Sequence, residues 1–383
     1  MSMDTLVEVS ELEGKIASIQ AELLDEYQAD HRFPWIIGFS GGKDSTVVVQ
    51  FVLEMLLALP PKRRTRPVHI VANDTLVEAP LVANHLDRML HKIRTAGETL
   101  RLPLSVVKTT PKTDQTFWVN LIGRGYPAPS RTFRWCTDRM KIQPTSHYIR
   151  SQAAANGQVI LLLGVRREES STRAVSVNRY SNGERLNAHN DLAGCLVFRP
   201  IVDLTTDEIW QILLQRRPPW GGTHRDIVTL YRNGQGGECP LVLDKNDAPS
   251  CGTSSSRFGC WTCTVVVKDR SMEGFIESGH AHLEPLMELR DWLAEIRNDP
   301  TRRSAHRRTG KITHLADGSL IPGPFTLAAR REILDVLLET QAKVGEPLIT
   351  AEEIRLIETI WADDAVRGVS QLSTDALAAS LPV

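Results

Sequence analysis

No stretch of the 383 residues is long and apolar enough to cross a bilayer. The strongest run, Val159 to Val165 (VILLLGV), falls far short of the roughly 20 residues a membrane-spanning helix needs. A secretory leader is not visible either, because the opening MSMDTLVEVSELEG is acidic and has no hydrophobic core. The expectation is a cytoplasmic protein with no membrane partner. Charge of one sign is not in excess: 45 Lys and Arg stand against 46 Asp and Glu, a formal net charge of −1. That excludes a uniformly basic nucleic-acid coat protein and leaves room only for local basic patches. Repeats at solenoid periods are missing as well. What the chain does have, 42% hydrophobic and 24% charged residues, excludes a disordered polymer and fits a globular one.

Cysteine is sparse but not scattered. The six are Cys136, Cys195, Cys239, Cys251, Cys260 and Cys263. In a reducing compartment clustered cysteines point to metal or catalysis rather than to disulfides. Four of them follow a C-x11-C-x8-C-x2-C spacing in a Gly-, Pro- and Ser-rich stretch that needs an organising centre. Cys195 stands alone and reads as a buried thiol without a role.

Periodicity predicts a helix over 6–28, buried strands over 35–39, 68–72, 104–108 and 159–163, and helices over 46–59 and 80–96. Apolar strands alternating with helices mean an α/β protein, a parallel sheet covered by helices, whose ligands sit at the carboxyl ends of the strands. Thr205 with Glu208 forms a capping box that starts a further helix. Another helix is expected near 282–297, then an aperiodic stretch over 298–324 that reads as a mobile linker, and last a helical pair over 326–344 and 351–362.

Between the first strand and its helix lies Ser40-Gly41-Gly42-Lys43-Asp44-Ser45. Glycines let the backbone approach a phosphate, N–H groups at a helix start face the anion, and Lys43 adds a full charge. The two serine hydroxyls can donate to phosphate oxygens. The spacing is not that of a Walker A loop. Strand-SGGKDS-helix resembles the PP-loop ATP pyrophosphatases, a family with an adenine nucleotide alpha hydrolase-like fold that includes PAPS reductases and tRNA thiolases. The resemblance implies ATP, taken with Mg2+, and attack on its α-phosphate. Asn73-Asp74-Thr75 and the stretch from Gly164 through Arg166, Glu169 and Ser170 to Arg173 resemble further motifs of the PAPS-reductase-like members, and Arg166 and Arg173 suit bidentate phosphate contact.

Three more segments, FWVNLIGRGYPAP from Phe117, FRWCTDRMKI from Phe133, and GGECP through FGCWTCT from Gly236, resemble one subfamily: the DndC sulfurtransferases of bacterial DNA phosphorothioation. That resemblance implies adenylation of a DNA backbone phosphate and replacement of a non-bridging oxygen by sulfur. It also implies a cysteine desulfurase as sulfur donor and DndD-like and DndE-like companions. Carried over, Cys239, Cys251, Cys260 and Cys263 would hold a [4Fe–4S] cluster, four thiolates being its usual complement, although zinc accepts the same set. Lys43, Asp44, Cys136 and Arg166 would be catalytic. Ser40 to Ser45, Asp74, Thr75, Gly164, Arg166, Glu169, Ser170 and Arg173 would hold the nucleotide. Cys136, among Arg131, Arg134, Arg139 and Lys141, could carry a persulfide or be a structural thiol beside Trp135. The rival readings are a PAPS or APS reductase, a PP-loop tRNA thiolase, and a scaffold stapled by its cluster. The implied division is an N-terminal helix over 1–30, a nucleotide domain over 31–217, a Cys-rich segment over 218–297, a linker over 298–325 and C-terminal helices over 326–383. The basic stretches Pro61–Arg66 and Arg302–Arg308 are candidate DNA contacts, and no base-reading motif is visible.

Overall fold

The computed structural model describes residues 3–169, 175, 184–234 and 258–380. Among the described residues six strands form one sheet: β1 (Trp35–Gly38), β2 (Val68–Asn73), β3 (Leu104–Thr109), β4 (Val159–Leu162), β5 (Asn187–Ala188) and β6 (Cys195–Phe198). Their order across the sheet is β3-β2-β1-β4-β6-β5, parallel throughout except for β5 at the edge. Trp35 of β1 is in register with Val68 of β2 on one side and Ile160 of β4 on the other. The chain therefore winds outward from β1 in both directions, and the order reverses between β1 and β4. A crevice opens beyond the carboxyl ends of two strands at such a switch point, and ligands of open α/β sheets bind there.

Helices cover both faces, as the apolar strands require. Helix α1 (Met3–Tyr27) packs Leu12, Ile16, Ile19 and Leu23 against α2 (Lys43–Ala58), whose Val47 to Leu53 are buried on nearly every side. Helix α3 (Pro80–Thr99) lies on the same core. On the opposite face α4 (Gln143–Asn156) places Ile149 and Ala153 against Ile36, Val71 and Val159. The capping box at Thr205 starts α5 (Thr206–Gln215) as the sequence predicts, and α6 (Arg225–Asn233) follows. Helix α4, α6 and the β5–β6 edge have no counterpart in the sequence reading. Each is short or weakly amphipathic, and tertiary packing decides it.

A second apolar core lies beside the first. Phe117, Trp118 and Leu121 join Phe258 and Trp261, then α7 (Arg270–Glu277) and α8 (Glu284–Ile296), and then Ile333 of α9 (Leu327–Val344) and Ile357 of α10 (Ala351–Val366). A short α11 (Thr374–Ser380) closes the chain. No helix among the described residues is long and apolar enough to cross a membrane.

The start of the stretch expected to be a mobile linker is instead ordered and buried beside this second core. Arg303 pairs with Phe325 and Ser304 with Ser373 in isolated antiparallel bridges, and Ser304 and Ala305 are buried. Its arginines do structural work too. The Arg303 guanidinium donates to the carbonyls of Arg297, Pro322 and Gly323. Arg302 bonds Asp299 and Glu332, and Arg308 bonds Asp364. Aperiodic sequence misled because hydrogen bonds to backbone carbonyls, rather than an apolar stripe, order this segment. The first basic stretch is similar: Arg66 is buried over Tyr27 and Trp35 and donates to the carbonyls of Ala29 and His31, while Arg64 donates to those of Leu57 and Leu59. These guanidinium groups make hydrogen bonds and ion pairs within the fold.

Candidate active site

The loop after β1 turns at Gly41, whose φ of +73° suits a residue without a Cβ. Helix α2 begins at Lys43, three residues before the Thr46 start read from sequence, so Lys43, Asp44 and Ser45 form its first turn. The N–H groups of a first turn have no partner within the helix and carry the positive end of its dipole. The two serines brace the turn: Ser45 Oγ accepts from the Ser40 N–H at 3.2 Å and donates to the Gly42 carbonyl at 3.1 Å, and Ser40 Oγ accepts from the Gly42 N–H at 3.3 Å. Their work here is to shape the loop. From α3, buried His85 reaches the Gly41 carbonyl with Nε2 at 3.1 Å, which makes that nitrogen the donor. Burial lowers the His85 pKa and favours the neutral ring this bond uses.

Asp44 gathers two cations. Lys43 Nζ lies 2.9 Å from its Oδ2, and Arg166 Nε bonds its Oδ1. Arg166 is 1% exposed, and its other nitrogens reach the Leu204 carbonyl at 3.2 Å and Thr206 Oγ1 at 3.2 and 3.3 Å. Glu169 accepts from the Arg166 N–H at 3.3 Å. Burial pushes the Lys43 pKa down, and Asp44 opposes that shift. Gly164 brings the β4 loop against α2 so closely that a Cβ there would sit 2.9 Å from the Asp44 carbonyl carbon and the Ser45 nitrogen. Two loops from either side of the strand-order reversal thus meet at Asp44, with a lysine and an arginine held together at a helix N-terminus. Such an arrangement can bind and orient a polyphosphate and neutralise charge that develops on it.

The loop after β2 supplies the next wall. Asp74 Oδ1 accepts from the Leu76 N–H at 2.8 Å, and its Oδ2 pairs with Lys108 at 3.2 Å. Thr75 Oγ1 donates to Glu78 Oε1 at 2.7 Å and lies 3.2 Å from Cys260 Sγ. Glu78 and Cys260 form an antiparallel bridge, and the Trp261 N–H donates to the Val77 carbonyl at 3.0 Å. The Cys260–Cys263 turn, closed by the Cys263 N–H on the Cys260 carbonyl at 3.0 Å, is therefore docked on the loop that carries Asp74 and Thr75.

Cys136 begins a wide, π-type helical turn over Thr137–Ile142 and packs, like Cys260, against the second core. Asn73 ties that turn to the end of β2 by donating to the Met140 carbonyl at 3.0 Å. The structure thus brings Ser40 to Ser45, Gly164, Arg166 and Glu169 into one group, and Asp74, Thr75 and Cys260 into a second. Ser170, Arg173, Cys239 and Cys251 lie outside the described residues. Among the described residues no three His, Cys, Asp or Glu side chains converge as a metal site. Cys260 and Cys263, two sulfurs on one tight turn, fit half of a four-thiolate centre. Cys195 sits deep in the sheet, where burial pushes its thiol up to about 12, in line with its having no role.

Sequence reading missed His85, Thr206 and Tyr231. Tyr231 of α6 accepts the Lys43 N–H at 3.2 Å, and its ring lies 5.8 Å from Lys43 Nζ. No motif marks these residues, since each reaches the loop from an element packed over it.

A phosphoadenosine phosphosulfate reductase domain model matches residues 34–266. An uncharacterized protein of Methanocaldococcus jannaschii is 24% identical over 192 residues, which span 49% of this chain and 32% of that relative, so the match covers about a third of the relative's length. Among solved structures, FMN adenylyltransferase of Candida glabrata with FAD and inorganic pyrophosphate is 13% identical over 59% of this chain and 62% of that one, with a TM-score of 0.35. PAPS reductase from Candida auris in its phosphate complex is 13% identical over 56% and 86%, TM-score 0.31. The U34-tRNA thiolase NcsA from Methanococcus maripaludis, with its [4Fe-4S] cluster, is 11% identical over 74% of this chain and 79% of that one, with a TM-score of 0.34.

Proposed function

The chain belongs to the phosphoadenosine phosphosulfate reductase domain family, and on that premise we propose that it is an ATP pyrophosphatase and sulfurtransferase acting on DNA backbone phosphate. The observation that carries the reading is the complete SGGKDS loop at the reversal of strand order, with Gly164 pressed against it and Arg166 and Lys43 meeting on Asp44. The loop amides and Lys43 would hold the β- and γ-phosphates of ATP, with Mg2+. Arg166, held by Thr206 and the Leu204 carbonyl, would orient Asp44 and add positive charge beneath the bound phosphates. A non-bridging DNA oxygen attacks the α-phosphorus and pyrophosphate leaves. The terminal sulfur of a Cys136 persulfide then attacks the adenylated DNA phosphorus and expels AMP. An external thiol attacks the Cys136 sulfur, breaking the S–S bond, so the new sulfur stays on DNA and a disulfide forms on the protein. A [4Fe–4S] cluster on Cys239, Cys251, Cys260 and Cys263 would supply electron transfer or structure when bound. A cysteine desulfurase would load the sulfur, and DndD-like and DndE-like companions would bring DNA, because Arg66, Arg303 and Arg308 of the basic stretches are taken up in bonds within the fold.

The test is pyrophosphate release from ATP and 35S incorporation into DNA by anaerobically purified protein with desulfurase and companions. Lys43→Met should lower pyrophosphate release by ~100-fold or more, an effect expected when a fixed charge at a phosphoryl centre is lost. Cys136→Ser should abolish incorporation while sparing pyrophosphate release; incorporation that survives it would remove Cys136 from the scheme.

A further inference from the structure

Tyr231 joins two parts of the molecule that the proposed reaction treats separately. Its hydroxyl accepts the N–H of Lys43, the first residue of α2. That amide is one of those a bound phosphate would take. A Cβ on Gly42 would sit 3.2 Å from the same hydroxyl, so the phenol lies directly over the loop backbone. Burial raises the Tyr231 pKa, which keeps the group a neutral phenol. The other edge of the ring bears on Phe258, centroids 4.8 Å apart and planes at 89°, and Phe258 in turn stacks on Phe275 at 5.9 Å. Phe258 lies two residues before Cys260. The end of α6 meets Phe258 without slack: a Cβ on Gly234 would stand 2.3 Å from a Phe258 ring carbon.

A phosphate oxygen is anionic and accepts an N–H more strongly than a neutral phenol does. A phosphate seated on Lys43 N–H must therefore displace the tyrosine hydroxyl, and a displaced ring presses on Phe258. We propose that Tyr231 is a nucleotide-displaced latch, a positioning residue through which occupancy of the phosphate loop changes the packing of the Cys260–Cys263 turn. The inference rests on the reading of residues 40–45 as a nucleotide loop. Linkage makes the effect reciprocal: a change of state at the cysteine turn alters nucleotide affinity by the same factor.

The experiment is hydrogen–deuterium exchange, read by mass spectrometry over 258–264, on the full-length protein as isolated, with and without saturating α,β-methylene ATP. Calorimetry measures binding of the analogue in parallel. Exchange in the wild type should change about fivefold or more, the lower end of ordinary coupling. In Tyr231→Phe the analogue should bind as tightly or more tightly while the exchange response falls below about twofold. Phe258→Leu, which keeps an apolar contact without the ring edge, should uncouple in the same way and guards against a folding failure of the first variant. Binding without an exchange response in the wild type, or a full response in Tyr231→Phe, overturns the latch alone. No binding to the wild type overturns the nucleotide reading and the latch with it.

Discussion

At the scale of single residues, Gly164 shows how little room the site leaves. Any side chain there meets backbone rather than a flexible neighbour, so relief requires the first turn of α2 to move. Gly164→Ala should cost about 1–3 kcal/mol in packing and weaken ATP-analogue binding by roughly 10- to 100-fold, checked by calorimetry. His224 gives a second prediction. It is buried, its Nε2 lies 2.7 Å from Gln50 Oε1, and burial lowers its pKa to about 4 from an ordinary 6.5. As pH falls below about 6.5 the unfolded histidine takes up a proton that the folded one refuses until about pH 4, so stability declines across that window. The loss amounts to about 3 kcal/mol, and His224→Gln should flatten it in urea melts at pH 7 and pH 4.5. The glycines, lysine and serines of the loop over 40–45 were legible because spacing alone marks them. Arg166 was legible as an arginine at a strand end, but its bond to Asp44 was not, since 122 positions separate the two.

At the scale of elements, strongly patterned segments appear where periodicity places them, with ends shifted by a few residues. The shift at α2 matters most, because starting at Lys43 puts the lysine and Asp44 inside the helix's first turn. Helix α3 ends with a chemical mismatch. Arg101, just past its end, adopts φ of +51°, a left-handed conformation that glycine fills without strain. Leu102 N–H still closes the turn on the Gly97 carbonyl at 2.9 Å. Arg101→Gly should therefore raise stability by about 1 kcal/mol, measured by thermal unfolding, with pyrophosphate release unchanged. The wide turn over Thr137–Ile142 had no readable signal, because π-type geometry follows from Asn73 and the second core rather than from local pattern.

At the scale of the whole molecule, a buried ion cluster secures the second apolar core. Asp364, 2% exposed, receives both Arg330 and Arg308, and Arg330 also donates to the Gly123 carbonyl at 2.7 Å. Asp364→Asn would leave two guanidinium groups without their counter-charge, at a cost of about 3–5 kcal/mol. Thermal unfolding should show it as a large fall in midpoint, while Arg302→Ala, at a more open pair, should change little. The sheet was legible in the sequence because its strands are continuous apolar runs. The second core was not, because its contacts join residues more than 200 positions apart: Trp118 Nε1 donates to the Leu348 carbonyl at 2.8 Å, and Trp361 Nε1 to the Ile122 carbonyl at 3.0 Å.

Those two indole bonds also set a timetable. A ribosome completes every described strand of the sheet before it makes Leu348 or Trp361, so the sheet can close while Phe117 to Gly123 still lack part of their eventual cover. That patch becomes fully interior only when the last helices arrive. A chain halted before residue 348 would expose an adhesive surface of the kind that recruits chaperones.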